Sequence, residues 1–233
     1  MRIWDINPGY LNRQSLLGEH CELHALSSII GNCRKGYSRH PETLRWKGYG
    51  WALSRRHRLL AAEMELRNYK HRSPVSFQEK EGDWPADYVD QPSRQFEILR
   101  AKYREKEKGR IRLPENVQQI WSHHKYSVLA RDESLYRKIG RGLAAGSGPG
   151  FSELAEVLTE ILRQEPKTRG IRNAAQHMWG HVSDSTRRFG PGADSWPLRE
   201  LLREIQERAC RCEESYLISS TALSELMAWI PQE

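Results

Sequence analysis

The chain has 233 residues, 38% hydrophobic with 8 Trp and 9 Tyr and 29% charged, a balance that fits a folded soluble protein of one large or two small domains. No apolar run approaches the ~18 residues of a membrane span and the first residues lack the apolar core of a secretory signal, so no membrane partner and a cytoplasmic location are expected. The net charge of +7 lies in the first third: residues 1–72 hold 13 Lys+Arg against 6 Asp+Glu, and the remainder holds 24 against 24.

In chain order, apolar spacing predicts a helix from Asn12 to about Ile30 and a second from about Trp51 to Lys70. Between them, GNCRKGYSRHPETLRWKGYG reads as a Gly- and Pro-punctuated loop carrying most of the local aromatic and basic residues. The stretch SPVSFQEKEGDWPADYVDQPS, with three prolines and mixed charges, reads as a linker. Amphipathic patterns near 94–108, 115–131, 133–145, 151–165, 170–183, 196–213 and 219–230 follow, broken by GSGPG and FGPGADSWP. No alternation of strand length occurs, so the expected fold class is all-α.

A positive module joined to a neutral remainder is the electrostatic footprint of a polyanion-binding surface, and nucleic acid is the commonest such partner. Cys21, Cys33, Cys210 and Cys212 match no zinc spacing and read as reduced thiols. The stretch LLGEHCELHAL poses the sharper question. On a helical wheel Leu16, Leu23, Leu26 and Ile30 fall within about 80° of one another, with Glu19 in the middle of that stripe and Glu22 at its edge. A carboxylate facing a core must raise its pKa, find a cation or be used chemically. Arg2, Arg13, Arg34, Arg55 and Arg56 are the candidate cations. His20 and His24, and later His177 and His181, share the i,i+4 spacing that can chelate a metal. Neither pair has the H-E-x-x-H string or a carboxylate at ligand spacing, so packing or phosphate contact is the preferred reading and no metal or cofactor is assigned.

The runs MRIWDINPGYLNRQSLLGEHCELHAL, RKGYSRHPETLRW and RHRLLAAEMELRNYKHRSP resemble the pyrimidine dimer DNA glycosylases of the endonuclease V type, over about the first 75 residues. The resemblance implies a compact helical domain that cuts the glycosidic bond at UV-linked pyrimidines and then breaks the strand by β-elimination. It implies the α-amine of Met1 as nucleophile, Glu22 as the acid/base and Arg2 as the basic residue beside the amine. Arg13, Glu19, His20, Arg34, Lys35, Tyr37, Arg39 and His40 are the accompanying candidates for substrate contact. The chemistry is coherent: α-amines titrate at about 7.7–8.0 against about 10.4 for lysine, so a useful fraction is unprotonated at neutral pH. Cys21 stands where the resemblance leads one to expect an arginine, and the family's aromatic-rich tail has no counterpart near the linker.

The strings HKYSVLARD…YRKIG and TRG…N…QHMWG resemble a second family, the YbgA-like domain of unknown function, over about residues 110–230. That family also occurs beside domains associated with thiolated uracil or tRNA, which implies nucleic-acid presentation. Lys125, Tyr126, Arg131, Arg169, Arg172, Asn173 and His177 are its polar residues suited to phosphate and stacking contacts. The expected organisation is a glycosylase-like domain at 1–75, a linker and connecting helix at 76–109 and a multi-helix domain at 110–233, in a monomer. The expected function is a DNA glycosylase and AP lyase. The alternatives are a protein acting on modified or photodamaged tRNA, and a nucleic-acid-binding protein without catalysis.

Overall fold

A computed structural model describes residues 1–32, 36–71, 73–75, 82–183 and 196–231. Among them there are eleven α-helices and no strand, the all-α fold that the periodicity predicts. The chain divides into two compact units, Met1–Gly109 and Arg110–Glu233.

In the first unit, α1 (Arg13–Gly31) packs on α3 (Gly50–Leu66), and the short α2 (Pro41–Trp46) rests against α1. Asn12 starts α1 by accepting the Ser15 N–H at 2.8 Å, which satisfies one of the donors that every helix start leaves open. Leu16, Leu23 and Leu26 of α1 and Leu53 and Leu60 of α3 are fully buried. A one-turn 3-10 helix, Pro8–Tyr10, lies against α3, where Arg67 holds it by donating to the carbonyls of Leu11 (2.8 Å) and Gly9 (3.1 Å) while bonding Glu63 at 2.7 Å. Helix α4 (Pro92–Lys102) completes this core: Phe96 meets Tyr10 edge to face at 4.9 Å, and the Tyr103 hydroxyl accepts the Asn12 N–H at 3.1 Å. The segment 92–103 is therefore part of the first core and not only a connection.

Two boundaries differ from the sequence expectation. Residues 41–46, expected in a loop, form α2, because Pro41 presets the first helical position and His40 Nδ1 accepts the Glu42 N–H. Helix α3 stops at Leu66 rather than Lys70, where Asn68 turns the chain at φ +58.

In the second unit, α5 (Val117–Leu129) is central and contacts α6 (Glu133–Ala144), α7 (Phe151–Arg163) and α8 (Thr168–Val182), while α9 (Leu198–Arg211) packs on α8. The last pattern, expected near 219–230, is instead the short α11 (Ala222–Glu225) and a 3-10 turn (Leu226–Trp229), set apart from the preceding α10 (Ser215–Ile218). Thr221 explains the break: its N–H and its hydroxyl both donate to the His123 carbonyl, at 2.8 and 3.0 Å. Gly170 lets α8 begin against the end of α5, since a Cβ there would lie 2.0 Å from the Ala130 carbonyl oxygen.

Candidate active site

Residues 1–5 belong to no helix or strand, and such a segment must find partners for its N–H groups elsewhere. Four consecutive ones are taken by side chains. The Arg2 N–H donates to Glu22 Oε2 (2.5 Å), that of Ile3 to Glu42 Oε1 (3.2 Å), that of Trp4 to Glu19 Oε1 (3.3 Å) and that of Asp5 to Gln95 Oε1 (2.8 Å). Helices α1, α2 and α4 thus each supply a side chain that fixes the N-terminal segment. At its head the Met1 α-amine lies 3.8 Å from Glu22 Oε1, within ion-pair range.

The two carboxylates of α1 have different surroundings. Glu19 is buried and receives two parallel hydrogen bonds from Arg56, Nε to Oε1 at 2.7 Å and Nη2 to Oε2 at 2.9 Å, while Arg56 Nη1 donates to the Ile6 carbonyl at 2.9 Å. Burial pushes Glu19 up to about 7 against the pull of Arg56. Glu19, expected among the substrate contacts, is instead a core member of an ion pair, with no face left toward a ligand. The Glu22 side chain is 41% exposed, against 8% for Met1, so this carboxylate can reach both the amine and an incoming molecule.

Several cations of the basic third are held by acids. Arg2 pairs with Asp90 at 2.8 Å and stacks on Trp4 with its guanidinium 4.1 Å from the ring centre. Arg45 bonds Asp5 and, at 3.3 Å, Glu42, while burial raises the Glu42 carboxyl. Arg13, Arg39, Lys47 and Lys70 are exposed, as is Tyr37 at 72%. His40 is committed to the start of α2. Arg34 and Lys35 lie outside the described residues.

His20 does not stand alone with His24. Their Nε2 atoms are 3.3 Å apart, and His57 of α3 and His71 beyond it join them. Nothing in the local strings linked these four, although H-x-x-x-H on α1 was half of the signal.

In the second unit the structure gathers part of the expected set. Tyr126 bonds His181 Nε2 through its hydroxyl at 2.7 Å and stacks near His177 with ring centres 6.4 Å apart. Lys125 Nζ sits 4.8 Å from the Tyr126 ring and 4.5 Å from Tyr216, a partner the sequence reading missed. Arg169 is exposed, Asn173 is half-buried, and Arg172 donates to the Trp196 carbonyl at 3.0 Å. Arg131 departs from expectation: buried, it pairs with both oxygens of Glu225 at 3.0 Å and serves the packing of α5 and α11.

Among the described residues no helix is long and apolar enough to cross a membrane. Neither the comparison with curated proteins nor that with solved structures finds a match. Residues 1–77 match the family model described as pyrimidine dimer DNA glycosylase, and residues 125–188 match one described as a protein of unknown function (DUF1722). The N-terminal segment of this chain, with its amine facing a carboxylate, is thus similar to the pyrimidine dimer DNA glycosylase family, and a later segment is similar to a family of unknown function.

Proposed function

We propose that the first unit excises a UV-dimerised pyrimidine from DNA with the Met1 amine as nucleophile and Glu22 as acid/base, and then cleaves the strand as an AP lyase. The observation that carries this reading is the 3.8 Å approach of the Met1 amine to Glu22 in a segment that matches the glycosylase family.

The unprotonated amine attacks C1′ of the damaged nucleotide. The glycosidic bond breaks, and the base leaves with the electron pair. Glu22 takes the proton that the attacking amine loses and passes it to the ring oxygen, so that ring opening of the sugar gives an imine between Met1 and C1′ and returns Glu22 to the carboxylate. Glu22 as carboxylate then removes a C2′ proton, and the electrons expel the 3′ phosphate. Water finally releases the amine from the sugar fragment. A separation of 3.8 Å in the unliganded protein is compatible with this role, because catalytic contacts commonly tighten only once substrate is bound. The base must leave the stack for C1′ to be reached, and a dimer that already disturbs stacking lowers that cost.

The exposed Arg13, Arg39, Lys47 and Lys70 supply the charge that meets the DNA backbone. The test is incubation of the full chain with a duplex containing one cyclobutane pyrimidine dimer, with undamaged duplex and irradiated tRNA as competitors. Scission of the 5′ glycosidic bond, with the freed base still held to its 3′ neighbour through the cyclobutane ring, and a strand break at the dimer support the reading. An intact dimer strand with processed tRNA would transfer the chemistry to RNA, and no product from either would leave a binding protein.

A further inference from the structure

Four histidines that the proposed reaction does not use converge at one point of the first unit. His20 and His24 come from consecutive turns of α1, His57 from α3, and His71 from the segment beyond α3. One ring nitrogen of each lies within 4.8 Å of the others, and among the described residues no carboxylate or thiol belongs to the group. Successive Nε2 atoms are 3.3 Å apart from His20 to His24, 3.2 Å from His24 to His57 and 3.3 Å from His57 to His71.

Hydrogen bonding among the rings does not account for those contacts. The Nε2 of a neutral imidazole carries either one hydrogen or one lone pair, so each takes part in one such bond. Four nitrogens therefore make at most two hydrogen bonds, and three contacts are present. At least one pair faces nitrogen to nitrogen with nothing between. A cation at the centre resolves the conflict, because every ring then points a lone pair inward. The three contact distances agree with ligands about 2.0–2.1 Å from a tetrahedral zinc ion, which are about 3.3–3.4 Å from one another, and the wider separations, within 4.8 Å, would close on the ion. The rings also surround a common centre, with centroids 4.6 Å apart for His20 and His24, 5.2 Å for His20 with His57 and with His71, and 4.9 Å for His57 with His24 and with His71.

We propose that His20, His24, His57 and His71 bind one zinc-class divalent ion through their Nε2 atoms, closing a four-nitrogen site that clips α1 to α3 and to the segment after it. Imidazole suits zinc and its late transition-metal neighbours, whereas magnesium and calcium require oxygen ligands. Four protein ligands leave no position for water, so the ion is a structural staple and not a Lewis acid for the reaction. Its consequence for the reaction is indirect. Glu22 lies on α1 between two of the ligands, and the ion stiffens the helix that presents it.

The test uses the full chain, stripped with chelator and titrated with Zn²⁺, with Co²⁺ as a spectroscopic probe and Mg²⁺ as control. Expected are one zinc per chain, the intense visible absorption of tetrahedral Co²⁺, and a melting temperature raised by about 5 °C or more at a hundredfold excess over Kd. His24→Asn and His71→Asn should lose the cobalt spectrum and weaken zinc by more than the roughly 10–100-fold that loss of an outer-shell partner costs. X-ray absorption of the zinc form, which needs no variant, should show four nitrogen neighbours at about 2.0–2.1 Å. Absence of stoichiometric zinc, unchanged binding in His71→Asn, or a shell of sulfur or mixed oxygen would overturn the proposal. Metal content is read independently of strand cleavage, so its failure leaves the glycosylase reading untouched.

Discussion

The Met1 α-amine stands 3.8 Å from one oxygen of Glu22, and the other oxygen of the same carboxylate accepts the Arg2 N–H. One side chain therefore both holds the backbone at Arg2 and faces the Met1 α-amine. Glu22→Gln keeps the volume and an acceptor for Arg2 but removes the proton acceptor. Incision of dimer-containing DNA should fall by about 10²–10⁴, with DNA affinity changed less than severalfold. Gel-based incision and fluorescence binding on the same protein separate the two.

Glu19→Gln should behave in the opposite way. Arg56 would then be buried without its counter-charge, and stability should fall by about 3–5 kcal/mol as measured by urea unfolding. Replacing both members with apolar residues of similar volume should restore much of that loss. Wild-type stability in Glu19→Gln would show that the ion pair does not hold the core.

Binding should be strongly salt-dependent. If the exposed Arg13, Arg39, Lys47 and Lys70 touch phosphates, log K falls against log salt with a slope of about −3 to −4. Arg39→Ala and Lys47→Ala should each flatten the slope by about 0.9. A titration between low and physiological salt that leaves the slope of both variants unchanged would move the DNA to another face.

The second unit should lose stability in mild acid. Burial pushes His124 down to about 3, although its Nδ1 hydrogen bonds the Ile120 carbonyl at 2.8 Å, and pushes the neighbouring His123 down to about 4. As pH drops below the ordinary value of 6.5, the unfolded chain takes up protons that the folded chain refuses. Stability is therefore full above pH 6.5 and falls as pH is lowered toward 4. For His124 alone the loss at pH 5 is about 2 kcal/mol. Thermal melts from pH 7.5 to 5 should show a shallower decline in His124→Gln than in wild type, and equal declines would refute the assignment.

Gly170→Ala tests the seam between α5 and α8. The new methyl would fall 2.0 Å from the Ala130 carbonyl oxygen, which is backbone and cannot swing aside. A destabilisation of at least about 1–3 kcal/mol is expected, read as lost protection of α8 amides in hydrogen exchange.

Short-range signals were the legible ones. Asn12 ahead of an apolar period marked the start of α1, and the wheel placed Glu19 on the core side with Arg56 among its possible partners. What stayed hidden depends on contacts far apart in sequence. Glu42 and Gln95 hold Ile3 and Asp5 across 39 and 90 residues, and no local pattern announces a side chain that substitutes for a strand partner. Helix α2 was concealed by the turn residues around it, which also serve as its cap. His57 and His71 could join His20 and His24 only after α3 was laid beside α1. The roles proposed for Met1 and Glu22 rest on resemblance and not on spacing, because an amine at the chain start has no pattern of its own.

The most direct test of the amine nucleophile is borohydride trapping of the full chain on dimer-containing duplex, using protein whose mass shows Met1 as its first residue. Reduction of the imine leaves a secondary amine, so enzyme and DNA should become covalently joined, and peptide mapping should place the adduct on the α-nitrogen of Met1. Acetylation of that amine removes its lone pair and one charge and should abolish both trapping and incision while DNA binding persists. An adduct on a lysine, or full incision by the acetylated protein, would contradict the account.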